Sequence, residues 1–243
     1  MYVKQALVAC AGSGTRLRKG GMDFPLSKVF IELEGRSMLY WCLLGLYQAG
    51  VDRLVMNVSD STVRMVYKTL SQLPFEFKRV DFRKDLDLGT TGLPYHTRHL
   101  LDDYYFFECG HSVSEPDHYR RLDAELQDGK PPVVLSTFAP SSSDARVKIR
   151  MNGRKIIPIR EFTGNDEEFC IGLPGVFGQE HAARLPELGF EFKKLVEFYA
   201  ASGTLRTVNS NMPLEVDYVD EWREAVPHYM KHIERISAIP ASP

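Results

Sequence analysis

The sequence lacks long apolar runs, paired cysteine motifs and an excess of charge of either sign. No window reaches the roughly 18 apolar residues that suggest a transmembrane helix, and the apolar stretch 6–11 is too short for a signal peptide. The four cysteines are scattered without a Cys-x-x-Cys spacing, so we expect buried free thiols. A formal net charge of −2 disfavours nucleic-acid binding. The sequence therefore predicts a cytoplasmic protein without nucleic-acid or membrane partners and leaves its oligomeric state open.

Helical and extended patterns alternate along a chain of ordinary globular composition, with 44% hydrophobic residues. This alternation predicts a parallel sheet with right-handed crossovers. An Asn-Gly turn between two alternating stretches predicts a β-hairpin. The predicted strands are 51–58, 75–82, 104–109, 133–138, 145–151, 155–159, 169–177, 205–208 and 214–216, after an opening strand that ends near residue 10. The first predicted helix begins after Ser37 and ends at Gly50. The other predicted helices are 62–73, 93–102, 116–127, 179–185, 190–202 and 219–236.

A glycine-rich segment follows the opening apolar run and reads Ala-Gly-Ser-Gly-Thr-Arg-Leu over residues 11–17. A buried strand that leads into such a loop can turn its backbone N–H groups toward an anion. Gly12 and Gly14 let a phosphate come close to the main chain. The side chains expected to contact that phosphate are the hydroxyls of Ser13 and Thr15 and the guanidinium of Arg16. The segment is therefore interpreted as a phosphate-binding loop, with an ordinary strand-to-loop turn as the alternative.

Two common phosphate loops do not match these residues. A P-loop requires a Lys-Ser or Lys-Thr pair, which is absent here. A dinucleotide fingerprint requires a third glycine where Leu17 stands, and segment 18–25 is not expected to open a helix. No acidic residue follows at the spacing of a ribose-binding carboxylate, which leaves a dinucleotide-dependent oxidoreductase as a minor alternative.

The loop is followed by Ser27-Lys28 and then by Gly-Arg-Ser-Met-Leu at 35–39, which opens an apolar helix. This succession resembles the nucleotidyltransferase family that joins an NTP to a sugar phosphate or a related phosphate, although Ser27 replaces the family's proline. The resemblance implies a Rossmann-like three-layer α/β/α sandwich with a mostly parallel mixed sheet. It also implies a single domain with a nucleotide-binding half, 1–115, and a hairpin-containing acceptor-binding half, 116–243.

The same resemblance implies roles for individual residues in sugar-nucleotide synthesis. Arg16 would hold the departing phosphates of the NTP, and Lys28 would neutralise its α-phosphate. A second Gly-Thr turn, at Gly89 and Thr90, would contact the nucleotide, and a helix N-terminus there suits a phosphate or a base edge. The remaining expected nucleotide contacts are Ala11, Gly12, Ser13, Gly14 and Thr15.

The resemblance is interrupted where the family carries its metal-binding aspartate, because His111 stands there. An imidazole suits Zn²⁺, Mn²⁺ or Co²⁺ better than Mg²⁺. Four interpretations of His111 therefore stay open. It binds another metal, it contacts phosphate directly, it marks a loss of activity, or it has a purely structural role. Asp217 matches the family's second metal ligand, so a divalent metal, Mg²⁺ or Mn²⁺, is expected there. The carboxylates that can replace the missing aspartate are Glu108, Glu115 and Asp117.

The acceptor-binding half departs from the family at a second position. Glu161 matches the family's glutamate, but Phe162 stands where a lysine grips the acceptor phosphate. Gly172 lies in a strand that resembles the family's acceptor-binding strand. Two hypotheses follow, namely nucleotidyl transfer to a sugar phosphate or a similar phosphate or phosphonate, or a catalytically impaired regulatory protein that binds a nucleotide or sugar nucleotide.

Overall fold

A computed structural model describes residues 1–12, 14–24, 26–84, 89–140, 147–210 and 219–239. Its helices are α1 (Thr15–Lys19), α2 (Met38–Ala49), α3 (Val63–Ser71), α4 (Gly89–Thr97), α5 (Pro116–Gln127), α6 (Gln179–Arg184), α7 (Phe192–Ala201) and α8 (Val219–Ala238). Its strands are β1 (Gln5–Ala9), β2 (Glu32–Leu33), β3 (Arg36–Ser37), β4 (Arg53–Val58), β5 (Arg79–Lys84), β6 (Tyr104–Cys109), β7 (Val133–Phe138), β8 (Val147–Asn152), β9 (Lys155–Ile159), β10 (Glu168–Gly178) and β11 (Leu205–Asn209).

Nine of the described strands form one mixed sheet. Seven of them follow the order β11-β7-β10-β6-β1-β4-β5, and the hairpin of β8 and β9 joins the sheet through β10. β10 runs antiparallel to β6, β7 and β8, whereas β1 is parallel to both β4 and β6. The carboxyl ends of β1 and β6 therefore meet at one edge of the sheet. The chain leaves β1 toward β4 on one side and reaches β6 on the other, so this edge is a topological switch point where ligands commonly bind.

Helices cover both faces of the sheet. One face packs against α2, α3 and α5 through residues such as Leu43, Val66 and Leu122. The other face packs against α4 and α7 through residues such as Leu93 and Val196. Strand side chains alternate between the two faces, so each face can pack against helices. The sheet and its two helical layers form the three-layer sandwich predicted from the resemblance. In the described part of the chain, no helix has the length and apolar character needed to cross a bilayer.

Helix α2 lies between the sheet and α8. Ten of its twelve residues are buried, so it reads as apolar all round and not as an amphipathic surface helix. Ser37 caps its start by accepting a hydrogen bond from the Tyr40 N–H at 3.2 Å. Gly50 ends it with a left-handed φ of 99°. Both ends predicted from the sequence are confirmed.

Several other predicted boundaries are confirmed, because β6, α5 and β7 have the predicted bounds. The predicted strand 75–82 is wrong in its limits. Phe75 and Phe77 leave the sheet to pack on Tyr47, with ring centroids 3.6 and 5.9 Å away, and β5 begins only at Arg79. The predicted hairpin is confirmed as β8 and β9. The short hairpin of β2 and β3 was not predicted, and the predicted strand 214–216 lies outside the described residues.

Two helices begin earlier than the sequence predicts. Helix α4 begins at Gly89 and not at 93, so Gly89 and Thr90 lie in its first turn and not in a preceding loop. A five-residue helix, α1, forms directly after Gly14, although no helix was expected in segment 18–25. Gly20 ends α1 after little more than one turn, which is why the segment lacks the sequence pattern of a longer helix.

Gly45 should be essential for the close approach of α2 to the segment before α5. A Cβ at Gly45 would lie 2.6 Å from the Ser114 carbonyl oxygen. We expect Gly45→Ala to lower the free energy of unfolding by about 1–3 kcal/mol despite the better helix propensity of alanine, as measured by urea denaturation. Glu197→Ala, on the exposed face of α7, should change it by less than about 0.5 kcal/mol. An unchanged stability of Gly45→Ala would show that the two segments can separate without cost.

Candidate functional site

A cavity of about 370 Å³ opens at the switch point, beyond the carboxyl ends of β1 and β6. We call it the anion cavity. It is lined by Ala9, Gly12, Gly14, Thr15, Arg16, Leu17, Lys28, Val29, Thr90, Cys109 and His111. These residues come from the first glycine-rich loop, the Lys28 segment, the first turn of α4 and the end of β6. The structure thus brings four separate sequence segments together around one space.

The left-handed backbone at Gly14 holds the Lys28 segment against the loop. Gly14 has a φ of 64°, and a Cβ there would lie 2.7 Å from Phe24 and 3.2 Å from the Cβ of Lys28. Any side chain at this position would therefore push both residues away as well as strain the backbone. The Phe24 ring also lies under the Arg18 guanidinium, 4.2 Å from its carbon. Gly12 differs, because a Cβ there would meet nothing within 4 Å and would only occupy cavity space.

A hydrogen bond of Ser27 ties the same two segments together. Ser27 is fully buried, and its hydroxyl donates to the carbonyl oxygen of Gly12. Its φ of −142° is far from the −65° or so that proline requires, so the family's proline does not suit this backbone. Lys28 follows directly and begins a short 3₁₀ turn. The Ser27 hydroxyl therefore joins the glycine-rich loop to the segment that carries Lys28. Sequence reasoning missed this role, although the replacement of the family's proline by Ser27 marked the position.

The charge of the anion cavity suits an anionic ligand. Arg16 and Lys28 both line it, and none of its described lining residues is an aspartate or glutamate. Thr15 and Thr90 add hydroxyl groups to the lining. A concave site with two cations and no described carboxylate attracts anions and raises their local concentration. Arginine and lysine together are a common combination for binding phosphate groups.

The three carboxylates considered as replacements for the missing aspartate all lie elsewhere. Glu108 is fully buried on the opposite face of β6 from Cys109, where its carboxylate accepts a hydrogen bond from Tyr119 at 2.7 Å. Glu115 lies 2.6 Å from both His232 and Arg235 of α8. Asp117 is exposed and pairs with Arg120 at 2.5 Å. None of the three is among the described lining residues, so the suggestion that one of them replaces the aspartate is not supported.

The other predicted site residues are dispersed. Ala11 belongs to the loop but does not line the anion cavity, and Gly89 lies beside Thr90 in α4. Glu161 is exposed after β9, whereas Gly172 is buried within β10, and neither lines the cavity. Ser13 and Asp217 lie outside the described residues.

The described residues do not by themselves fit a magnesium site. Among them, no group of three His, Cys, Asp or Glu side chains is close enough together to hold a metal ion. At the anion cavity the described metal-binding types are the imidazole of His111 and the thiol of Cys109, whereas Mg²⁺ prefers oxygen ligands. We therefore assign no step to a bound cation.

All four cysteines are buried and none is in a disulfide, as the sequence predicts. Cys10 directly follows β1, and burial raises the pKa of its thiol far above its usual value. Burial, followed by the charge of Glu108, also raises the pKa of Cys42. A thiolate is the reactive form of cysteine, so neither thiol is suited to nucleophilic chemistry.

No family model matches the sequence, and no curated protein matches it. Solved structures do. The inositol-1-phosphate CTP transferase from T. maritima matches with a TM-score of 0.73 at 18% identity, covering 96% of this chain and 97% of that one. A putative glucose-1-phosphate thymidylyltransferase from Bacillus anthracis matches with a TM-score of 0.74 at 12% identity, covering 93% and 94%. A nucleotidyl transferase from Methanothermobacter thermautotroptrophicus matches with a TM-score of 0.65 at 16% identity, covering 95% and 99%.

These likenesses extend over nearly the full length of each chain. They show that this chain has the fold of those nucleotidyltransferases, which confirms the fold class predicted from the resemblance. At such low identities the comparison concerns the arrangement of the backbone and does not transfer substrates.

The Ser27 hydroxyl is expected to set the affinity of the anion cavity for phosphate chains. Ser27→Ala removes its bond to the Gly12 carbonyl, so the loop and Lys28 are no longer tied together. We expect inorganic tripolyphosphate to bind about 5- to 10-fold more weakly, as measured by calorimetry, which corresponds to the roughly 1 kcal/mol of one hydrogen bond. Ser71→Ala, at an exposed position of α3, is the matched control and should bind like wild type. Equal affinities of both variants would contradict this role of Ser27.

Proposed function

We propose that this chain is a nucleotidyltransferase that joins the nucleoside monophosphate part of an NTP to a sugar phosphate or a similar phosphate or phosphonate. The single observation that carries the proposal is that Arg16 and Lys28, 12 positions apart in sequence, line one cavity at the switch point, and that none of its described lining residues is acidic. The fold shared with known nucleotidyltransferases supports it. Composition does not suggest nucleic acid as a substrate.

The proposed reaction is a displacement at the α-phosphorus. An oxygen of the acceptor phosphate forms a bond to this phosphorus as the bond to the α,β-bridging oxygen breaks, and the electron pair of that bond leaves with pyrophosphate. Negative charge builds up on the departing group and on the α-phosphate. Such a reaction requires positioning and positive charge more than covalent participation by the protein.

The lining residues are assigned to these demands as follows. Arg16 holds the β- and γ-phosphates with its planar guanidinium, and Lys28 neutralises the α-phosphate. Gly12 and Gly14 admit the triphosphate close to the backbone, and Thr15 and Thr90 donate hydroxyl hydrogen bonds. Ala11, Ser13 and Gly89 complete the proposed nucleotide contacts. Glu161 and Gly172 are proposed to contact the acceptor, and Asp217 and His111 are the proposed ligands if a divalent metal takes part.

A test begins with release of pyrophosphate by the purified protein. Each NTP is combined with Mg²⁺ or Mn²⁺ and a panel of phosphorylated sugars, polyols and phosphonates. We expect Lys28→Ala to lower kcat/KM for the productive pair about 100-fold, because one charge contact in the transition state contributes about 3 kcal/mol. Lys19→Ala removes an exposed lysine of α1 that does not line the cavity and should retain activity. Absence of turnover across the panel would overturn the proposal.

The second candidate is a protein that binds a nucleotide or sugar nucleotide without turnover. It is favoured by His111 in the place of a metal-binding aspartate and by Phe162 in the place of the acceptor lysine. Calorimetry would then show nucleotide binding in a protein that releases no pyrophosphate. Any turnover that Lys28→Ala abolishes would eliminate this candidate.

The imidazole of His111 is expected to set the metal preference if a metal is needed. Imidazole nitrogen binds Mn²⁺ more readily than Mg²⁺, so wild type should be more active with Mn²⁺. We expect His111→Asp to raise the ratio of Mg²⁺-supported to Mn²⁺-supported activity at least about 10-fold, since a carboxylate is a hard oxygen ligand. His99→Asp, at an exposed site outside the cavity, should leave the ratio unchanged. An unchanged ratio in His111→Asp would show that residue 111 does not contact the metal.

A further inference from the structure

A bulge in β10 lies beside the last residues of β6, the strand whose end lines the anion cavity. Two extra residues, Leu173 and Pro174, interrupt the pairing of β10 with β7 between Gly172 and Gly175. On its other edge, β10 pairs with β8 up to Ile171 and with β6 from Gly175 onward. The bulge therefore lies where β10 passes from one neighbour to the other. It faces the end of β6, whose last residue lines the anion cavity.

A buried polar pair holds this bulge. The Ser136 hydroxyl of β7 donates to the Pro174 carbonyl oxygen at 2.5 Å. The same hydroxyl lies 2.7 Å from Nε2 of His118 on α5. On the other side of the ring, Arg121 reaches His118 Nδ1 at 3.3 Å and donates to the Asn209 carbonyl at 2.9 Å. Ser136 and His118 are 0% and 3% exposed, so water does not replace these contacts.

The direction of each hydrogen bond follows from the chemistry of the groups. Arginine has donors only, so Nδ1 of His118 must accept and its proton must lie on Nε2. Nε2–H then donates to Ser136, whose own proton goes to the Pro174 carbonyl. Burial, followed by the charge of Arg121, lowers the pKa of His118 to about 3, so the neutral ring required here is present at neutral pH. The donors and acceptors along this path are all matched.

The bulged carbonyl needs such a donor. The bulge removes Pro174 from the regular ladder, and a buried carbonyl without a donor costs about 1–3 kcal/mol. Directly after the bulge, Gly175 packs closely against β7. A Cβ there would lie 2.7 Å from the Val134 carbonyl oxygen. Ser136 is therefore the group that fixes the shape of the bulge.

We propose that His118 and Ser136 are positioning residues for the acceptor. Through the Pro174 carbonyl they hold Gly172 and the bulge in place against the end of β6, where the acceptor must meet the α-phosphate. The inference rests on the function proposed above. Neither residue lines the anion cavity, so neither is expected to affect binding of the nucleotide directly.

The first test separates the two substrates of the proposed reaction. Ser136→Ala and His118→Leu should each raise KM for the acceptor about 10-fold, because misplaced reactants lose the benefit of positioning. KM for the NTP and its calorimetric affinity should stay within about twofold of wild type. His118→Gln keeps a donor near the position of Nε2 and should recover most of the acceptor affinity. Equal changes in both KM values, or none, would overturn the acceptor role.

A second measurement is independent of catalysis. Amide hydrogen exchange should be faster in the peptide 168–178 of Ser136→Ala than in wild type, and unchanged in the peptide 5–9 that forms β1. Thr137→Val, a nearly isosteric change in the same strand on its other face, should leave both peptides unchanged. Unchanged exchange in 168–178 would overturn the holding role. If wild type releases no pyrophosphate, the proposed function and the acceptor role both fail, and exchange alone decides whether the pair holds the bulge.

Discussion

The close contact between the glycine-rich loop and the Lys28 segment is the constraint on which the site depends. It requires the absence of a side chain at Gly14, the packing of Phe24 into the resulting space and the bond from Ser27 to the Gly12 carbonyl. Without this contact, Arg16 and Lys28 would belong to two independent segments, and their mutual repulsion would separate them. The fold thus uses apolar packing and one buried hydroxyl to hold two like charges around a common space, which is then available to stabilise an anion.

The alternation of side chains across β6 explains why only some residues of this strand belong to the site. Cys109 points toward the face covered by α4 and lines the anion cavity, whereas Glu108 points to the opposite face and bonds to Tyr119 of α5. These adjacent residues therefore serve separate purposes. Cys109 lines the site, and Glu108 joins β6 to α5. The buried carboxylate is kept away from the anion cavity, where its charge would oppose an anion.

Local patterns in the sequence predict much of this fold, because its central elements are short, apolar and clearly bounded. Helix α5 begins at Pro116, and β6 and β7 are apolar runs with polar or turn residues at their ends. The limits of β5 are not predictable from such patterns, since Phe75 and Phe77 suit a strand but are drawn away by Tyr47. Within the site, the glycine-rich loop and Lys28 stand out in the sequence. The bonds made by Ser27 and Ser136 do not, because each joins residues that only the fold brings together.

The position of β10 bears on how the two halves of the chain relate to each other. This strand belongs to the second half, yet it lies between β6, from the first half, and β7. The sheet is thus interleaved, and a fragment ending near residue 115 would leave an edge of β6 exposed that its own sequence cannot cover. The hydrophobic clusters on both faces of the sheet also combine residues from the two halves. A gene split at this point would accordingly yield two pieces that each depend on the other for part of the sheet, so the two halves could not be exchanged independently between proteins.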